Sequence, residues 1–85
     1  LVIIALGYRH LQAGDAENAI DIFKQNVKRY PGSANVYDSL GEAYETKGEA
    51  EAAAKNYAKA VKLGEQSGDP NLPVYKTNLE RVGGQ

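Results

Sequence analysis

Tyr37-Asp38-Ser39-Leu40-Gly41-Glu42-Ala43-Tyr44, followed by Ala53-Ala54-Lys55-Asn56-Tyr57, places aromatic, aliphatic and small residues three and four positions apart. That spacing collects them on one face of an α-helix. The arrangement also stands 34 residues earlier, as Ile3-x-x-Leu6-Gly7-x-x-His10 and then Ala19-x-x-x-Phe23. Laid over each other at that offset, residues 1–33 and 35–67 are identical at ten positions: Val2/Val36, Leu6/Leu40, Gly7/Gly41, Gly14/Gly48, Ala16/Ala50, Glu17/Glu51, Ala19/Ala53, Val27/Val61, Lys28/Lys62 and Ser33/Ser67. Ordinary residue usage gives ~2 by chance. A period in roughly the 20–50 range marks stacked supersecondary units.

Outward from this stretch the helical pattern covers nearly the whole chain. A first helix is expected over about 2–13, with Ile3, Leu6, His10 and Ala13 sharing a face, ended by Gly14. Asp15 is a natural N-cap for a helix over about 16–29. Its inner face reads Ala16, Ala19, Ile20, Phe23 and Val27, and Tyr30-Pro31-Gly32 stops it. Ser33 is placed to cap a third helix over about 34–47, with Tyr37, Leu40, Gly41 and Tyr44 aligned. After Gly48 a fourth begins near Glu49 or Ala50, its inner face Ala50, Ala53, Ala54, Tyr57, Ala60 and Val61. Gly64 and Gly68 both offer an end, and Gly68 is favoured because one glycine costs only ~1 kcal/mol inside a helix. A fifth, over about 71–82, carries Leu72, Tyr75, Leu79 and Val82 inward and Lys76, Asn78, Glu80 and Arg81 outward, with Pro73 in its first turn. It reads as the cap of an open stack.

The pair of motifs resembles the tetratricopeptide repeat, whose pattern is Trp-x-x-Leu-Gly-x-x-Tyr, Ala-x-x-x-Phe, Pro. The residues that carry the resemblance are Leu6, Gly7, Ala19, Phe23 and Pro31 in the first unit, and Tyr37, Leu40, Gly41, Tyr44, Ala53 and Tyr57 in the second. Ile3 and Tyr37 stand in place of tryptophan, His10 in place of tyrosine, and Glu65 in place of the second proline. The resemblance implies an all-α, right-handed superhelical stack of antiparallel helix pairs, about five helices in all. Repeat 1 covers about 1–33, repeat 2 about 34–67 and a capping helix about 71–82. Gly7 and Gly41 are expected where the paired helix approaches closely, Ala19 and Ala53 are small for the same reason, and Phe23 and Tyr57 fill the space between units.

Composition excludes several functions. The 85 residues contain no cysteine, so there is no disulfide framework and no thiolate zinc site. A net charge of −1 with both signs interspersed argues against general nucleic-acid affinity. The apolar run Leu1–Leu6 is too short to span a bilayer and has no basic leader. The first residue is not methionine, and the chain is read as trimmed or cut from something longer.

No catalytic constellation emerges. His10, the sole histidine, is the repeat-equivalent of Tyr44 and is assigned to packing. Ser33 and Ser39 lie in no nucleophile elbow; Ser33 is assigned to a cap and Ser39 to the surface. The glycines are spaced by the repeat and form no phosphate loop. Asp15, Glu17, Glu49 and Glu51 lie at helix starts, where the dipole favours carboxylates. No cofactor or metal is implied.

In the family resembled, the first helix of each repeat lines a concave groove. Carried across, the groove positions are Leu1, Ile4, Ala5, Tyr8, Leu11 and Gln12, then Asn35, Asp38, Ser39, Glu42, Glu45 and Thr46. The candidate peptide contacts are Ile4, Tyr8, Gln12, Asn35, Asp38, Glu42 and Glu45. The basic clamp with which chaperone-binding members hold a C-terminal carboxylate is absent, so no such binding is expected. Asp38, Glu42 and Glu45 are read first as a solvated helix face, and second as a surface for a partner segment carrying Lys or Arg. The apolar set Leu1, Ile4, Ala5, Tyr8 and Leu11 needs a cover: a missing N-terminal domain, a second copy, or a ligand peptide. The expectation is a non-catalytic protein- or peptide-binding scaffold, with no nucleic acid and no membrane. The alternative is an accessory or linker domain of a larger bacterial enzyme such as a hydrolase, because residues 35–44 look similar to repeats appended to such enzymes.

Overall fold

The computed structural model describes residues 2–83, and side chains from residue 5 onward. Its elements are five helices: α1 (Val2–Gln12), α2 (Ala16–Arg29), α3 (Ala34–Lys47), α4 (Ala50–Ser67) and α5 (Leu72–Gly83). There is no strand among the described residues. Each helix packs on its neighbour in sequence, and α1 also touches α3. The result is an all-α stack of two hairpins, α1–α2 and α3–α4, closed by α5.

The turns follow from local chemistry. The Asp15 carboxylate accepts from the Asn18 backbone N–H at 3.3 Å and from Asn18 Nδ2 at 2.6 Å, which caps α2. Ser33 makes no such bond, although its extended backbone does start α3; the expected side-chain cap is absent. Gly68, at φ +66°, closes α4 through its N–H on the Gly64 carbonyl, and Gly64 itself lies buried inside the helix. The extra turn beyond Leu63 is compatible with Glu65 standing where a proline would have stopped the helix.

The core lies between the hairpins. Ala19, Ile20 and Phe23 of α2 meet Leu40 and Ala43 of α3, with Tyr8, Leu11, Ile22, Val27 and Tyr44 packed around them. Ala53 and Tyr57 of α4 meet Val82 of α5, and Ala60 meets Ala34 and Tyr75. Phe23 and Tyr57 are fully buried. A Cβ on Gly41 would lie 2.7 Å from the Tyr57 ring, and one on Gly7 would collide with Phe23. Glycine at these two positions is what lets an aromatic residue of the second helix pack closely against the first.

Helix α1 turns differently from its sequence assignment. Leu6, expected inside, is 45% exposed, and Ala13 is exposed as well. Tyr8 and Leu11, expected outside, are half-buried against the α2–α3 core. The reason is that, among the described residues, α1 has helices on one side only, so Gly7 on Phe23 sets its rotation. Ile3 of the expected inner face, and Leu1 and Ile4 of the expected patch, lie outside the described side chains. His10 is half-buried with its Nδ1 at 3.3 Å from the Asp15 carboxylate, so it joins a polar turn rather than filling the core.

Candidate protein-interaction site

The candidate residues on α3 recur at 35, 38, 42 and 45, a helical spacing that keeps them on one side. That side is flanked by α1 and α5. The Tyr8 hydroxyl of α1 hydrogen-bonds Ser39 Oγ at 3.0 Å. From α5, Asn78 Nδ2 donates to Asp38 Oδ1 at 2.9 Å. Arg81 Nε and Nη2 donate to the two carboxylate oxygens of Glu45 at 2.8 and 2.7 Å. Glu45 also accepts from the Tyr57 hydroxyl at 2.8 Å, so one carboxylate ties α3 to α4 and α5.

These contacts change the expected exposure. Ser39, assigned to the surface, is 1% exposed. Asp38, assigned first to a solvated face, is 6% exposed, and Asn78, assigned to the outside of α5, is 8% exposed. Glu42 and Glu45 are half-buried, while Gln12, Asn35 and Thr46 remain exposed. Ile4 lies outside the described side chains. The residue that sequence reasoning missed is Asn78. Its partner lies 40 positions away, and only the packing of α5 across α3 pairs them.

Electrostatics divide the three carboxyls. Burial raises Asp38 and Glu42 above their ordinary carboxyl range; Asn78 offsets part of this at Asp38 and the Tyr8 hydroxyl part at Glu42. Glu45 adds to the rise at both, Asp38 adds to it at Glu42, and Arg81 acts against it. Glu45 is lowered instead, first by the Arg81 hydrogen bonds. Burial pushes the Tyr8 hydroxyl up to about 12, so it stays protonated as a donor. Among the described residues the ion pairs are His10–Asp15, Lys47–Glu17, Lys47–Glu49, Lys76–Glu65 and Arg81–Glu45. None of them reaches Asp38 or Glu42. Two desolvated carboxyls therefore share a face without a cation of their own.

Other features are chemically plainer. A depression of about 400 Å³ at the start of α2 and the end of α3 is lined by Glu17, Ile20, Lys24, Tyr44 and Lys47 among others, and by none of the candidate contacts. Lys47 there bridges Glu17 and Glu49 at 3.3 and 3.4 Å. No three His, Cys, Asp or Glu side chains gather to hold a metal among the described residues. No described helix is long and apolar enough to cross a membrane.

A stack of helical hairpins nested through glycine and alanine notches defines a helical-repeat architecture. Residues 34–66 match the family model of the tetratricopeptide repeat. The α3–α4 hairpin is accordingly a tetratricopeptide repeat, and the α1–α2 hairpin repeats its register and its glycine–aromatic contact. The repeat suggests a protein-interaction module. No curated protein matches the chain significantly.

Proposed function

We propose that this chain is a non-catalytic module that binds a basic segment of a partner protein on the face shared by α1, α3 and α5. The observation that carries the reading is the pair Asp38 and Glu42, desolvated and without a cation among the described residues. Holding two such carboxyls near each other is unfavourable in the free protein. A Lys or Arg side chain brought to Glu42 relieves that cost, so part of the binding free energy is stored in the folded face. The exposed Asn35 borders the same side and offers an amide group for a peptide backbone. Rigid helix pairs hold these groups in place, which lowers the ordering cost of association. The partner's cation is expected to sit by Glu42 rather than Glu45, because Arg81 already occupies Glu45.

The test is a calorimetric titration with a short Lys/Arg-containing peptide and with an acidic peptide ending in a free carboxylate. Binding of the first, weakened about tenfold or more by Glu42→Gln and by added salt, is expected, an ion-pair loss of ~1.4 kcal/mol. Micromolar binding of the acidic peptide, or indifference to Glu42→Gln, overturns the reading. Binding also tightens as pH rises through the raised carboxyl range, because the carboxyls must be ionised to hold the cation.

A further inference from the structure

The two signs of charge, interspersed along the chain, separate by face. The stretches 22–37 and 52–64 hold six of the ten Lys and Arg residues and no Asp or Glu. Lys24, Lys28 and Arg29 of α2 and Lys55, Lys59 and Lys62 of α4 are all exposed. They lie on the side of their helices away from the buried Ala19, Phe23, Ala53 and Tyr57. Among the described residues none of the six enters an ion pair, and Lys59 alone has a partner of another kind, the Tyr37 ring at 5.9 Å. The helix dipole explains only part of this. Cations suit the last turn of a helix, where Lys28 and Arg29 stand, but the last turn of α4 holds none of its lysines. Lys24 and Lys28, like Lys55 and Lys59, are four positions apart, a spacing at which like charges repel. The free face therefore carries repulsion that an anionic occupant relieves.

We infer that this basic face of α2 and α4 docks on the carboxyl face of a second copy of the chain, bringing the Lys55, Lys59 and Lys62 row of one molecule to Glu42 of the next. The inference rests on the proposal that the face of α1, α3 and α5 takes a basic segment, and it names the source of that segment. Charge complementarity carries it. One side of the molecule bears cations without carboxylates, and the other bears Asp38 and Glu42 without a cation of their own among the described residues. The areas agree. Two layers of helices about 10 Å apart make the molecule a slab of 31 × 29 × 17 Å. Each broad side is then about 900 Å², close to the ~800 Å² that each partner contributes to a specific interface. A net charge of −1 leaves little overall repulsion to oppose contact. The Debye length at physiological salt is ~8 Å, so across 17 Å the two faces of one molecule act independently. A long polyanion fits the basic face less well, because Glu17, Glu49 and Glu51 border it at the starts of α2 and α4. The two faces differ, so the contact is heterologous, and association grows with concentration instead of closing at a dimer.

The test is sedimentation velocity of the whole chain across concentration. Exposed ion pairs contribute little each, so growth in mean mass is expected at about 0.1–1 mM in low salt. Monomer alone is expected in roughly 0.5 M salt, where the Debye length falls to about 4 Å. Lys55→Gln/Lys62→Gln and Glu42→Gln should each shift growth to about tenfold higher concentration or abolish it. The lysine variant should melt within about 3 °C of the parent, as exposed substitutions do. Mixed together, the two variants should form a species of two chains and nothing larger, because the first keeps its carboxyl face and the second its lysines. Growth indifferent to both variants overturns the inference, and so does an unsubstituted chain that stops at a dimer. A chain that stays monomeric at about 1 mM in low salt, while the Lys/Arg-containing peptide still binds, overturns this inference and leaves the proposed function standing. Failure of that peptide together with a monomeric chain overturns both.

Discussion

Replacing Gly41 by alanine sets two energies of similar size against each other. Alanine is favoured over glycine in a helix interior by ~1 kcal/mol, so propensity alone predicts stabilisation. The structure predicts the opposite. The added Cβ would stand 2.7 Å from both Tyr57 Cδ1 and Cε1, whereas carbon atoms pack at about 3.5–4.0 Å. The ring must therefore recede by about 1 Å from that contact distance. Tyr57 has no free volume to take, being fully buried, and its hydroxyl is held by Glu45 at 2.8 Å. Overpacking of this kind costs ~1–3 kcal/mol, and the upper part of that range applies where the neighbour cannot move. After the propensity gain the net loss is about 1–2 kcal/mol, or about 5–15 °C in melting temperature for a domain of this size. Far-ultraviolet circular dichroism during thermal unfolding measures it. Gly64→Ala is the internal control, because its Cβ would meet Leu72 and Tyr75 at a milder 3.3 Å, and it should change the midpoint by only about 3 °C. In a Tyr57→Leu background the Gly41→Ala penalty should shrink, a non-additivity expected of touching residues. A Gly41→Ala variant that melts higher than the parent would refute the notch.

Further predictions concern the core and the carboxyl face. Phe23→Ala removes a fully buried ring shared by α1, α2 and α3 and should cost ~3–5 kcal/mol by urea unfolding; an unchanged midpoint would remove Phe23 from the core. Asp38→Asn should stabilise the protein at pH 7. The folded state raises this carboxyl, so it binds its proton more readily than the unfolded chain does, and the desolvation penalty present above the raised value is lost as pH falls through it. The advantage of Asp38→Asn should accordingly fade in acid, and an advantage that grows in acid would contradict the assignment. Arg81→Ala acts with the opposite sign: Glu45 is lowered by its partner, so the stability it contributes is present above the unfolded carboxyl value and lost as pH falls. The pair is partly exposed, so the loss at neutral pH should be only ~0.5–1 kcal/mol, shrinking further in salt.

The architecture was legible because it is written in local spacing and repeated. The capping Asp15 and the stop at Gly68 act over a few residues, the glycine and aromatic residues of the notches recur at a fixed period, and the five helices fall where those signals put them. The inner faces of α2 and α4 were readable for a related reason, whereas on α3 and α5 the buried polar residues Asp38, Ser39 and Asn78 were read as outward. Each of these helices has helices against it, and an apolar stripe at helical spacing has one consistent place to go. On α1 the same spacing misled. Leu6 carries the residue type of a buried position, but burial needs a neighbour as well as a pattern, and no described helix covers that side.

The carboxyl face was legible as a list of residues but not as a state. Spacing alone could place Asp38, Glu42 and Glu45 on one side of α3. Whether each is solvated, desolvated or paired depends on Tyr8, Asn78 and Arg81, which lie between 30 and 43 positions away along the chain. The helices and their order are thus determined by the chain's own periodicity, since hydrogen bonding and capping within a helix are short-range. The tertiary structure decided which side chains lost water and which carboxyl kept a cation, because desolvation and ion pairing depend on distance in space, and folding alone sets that distance.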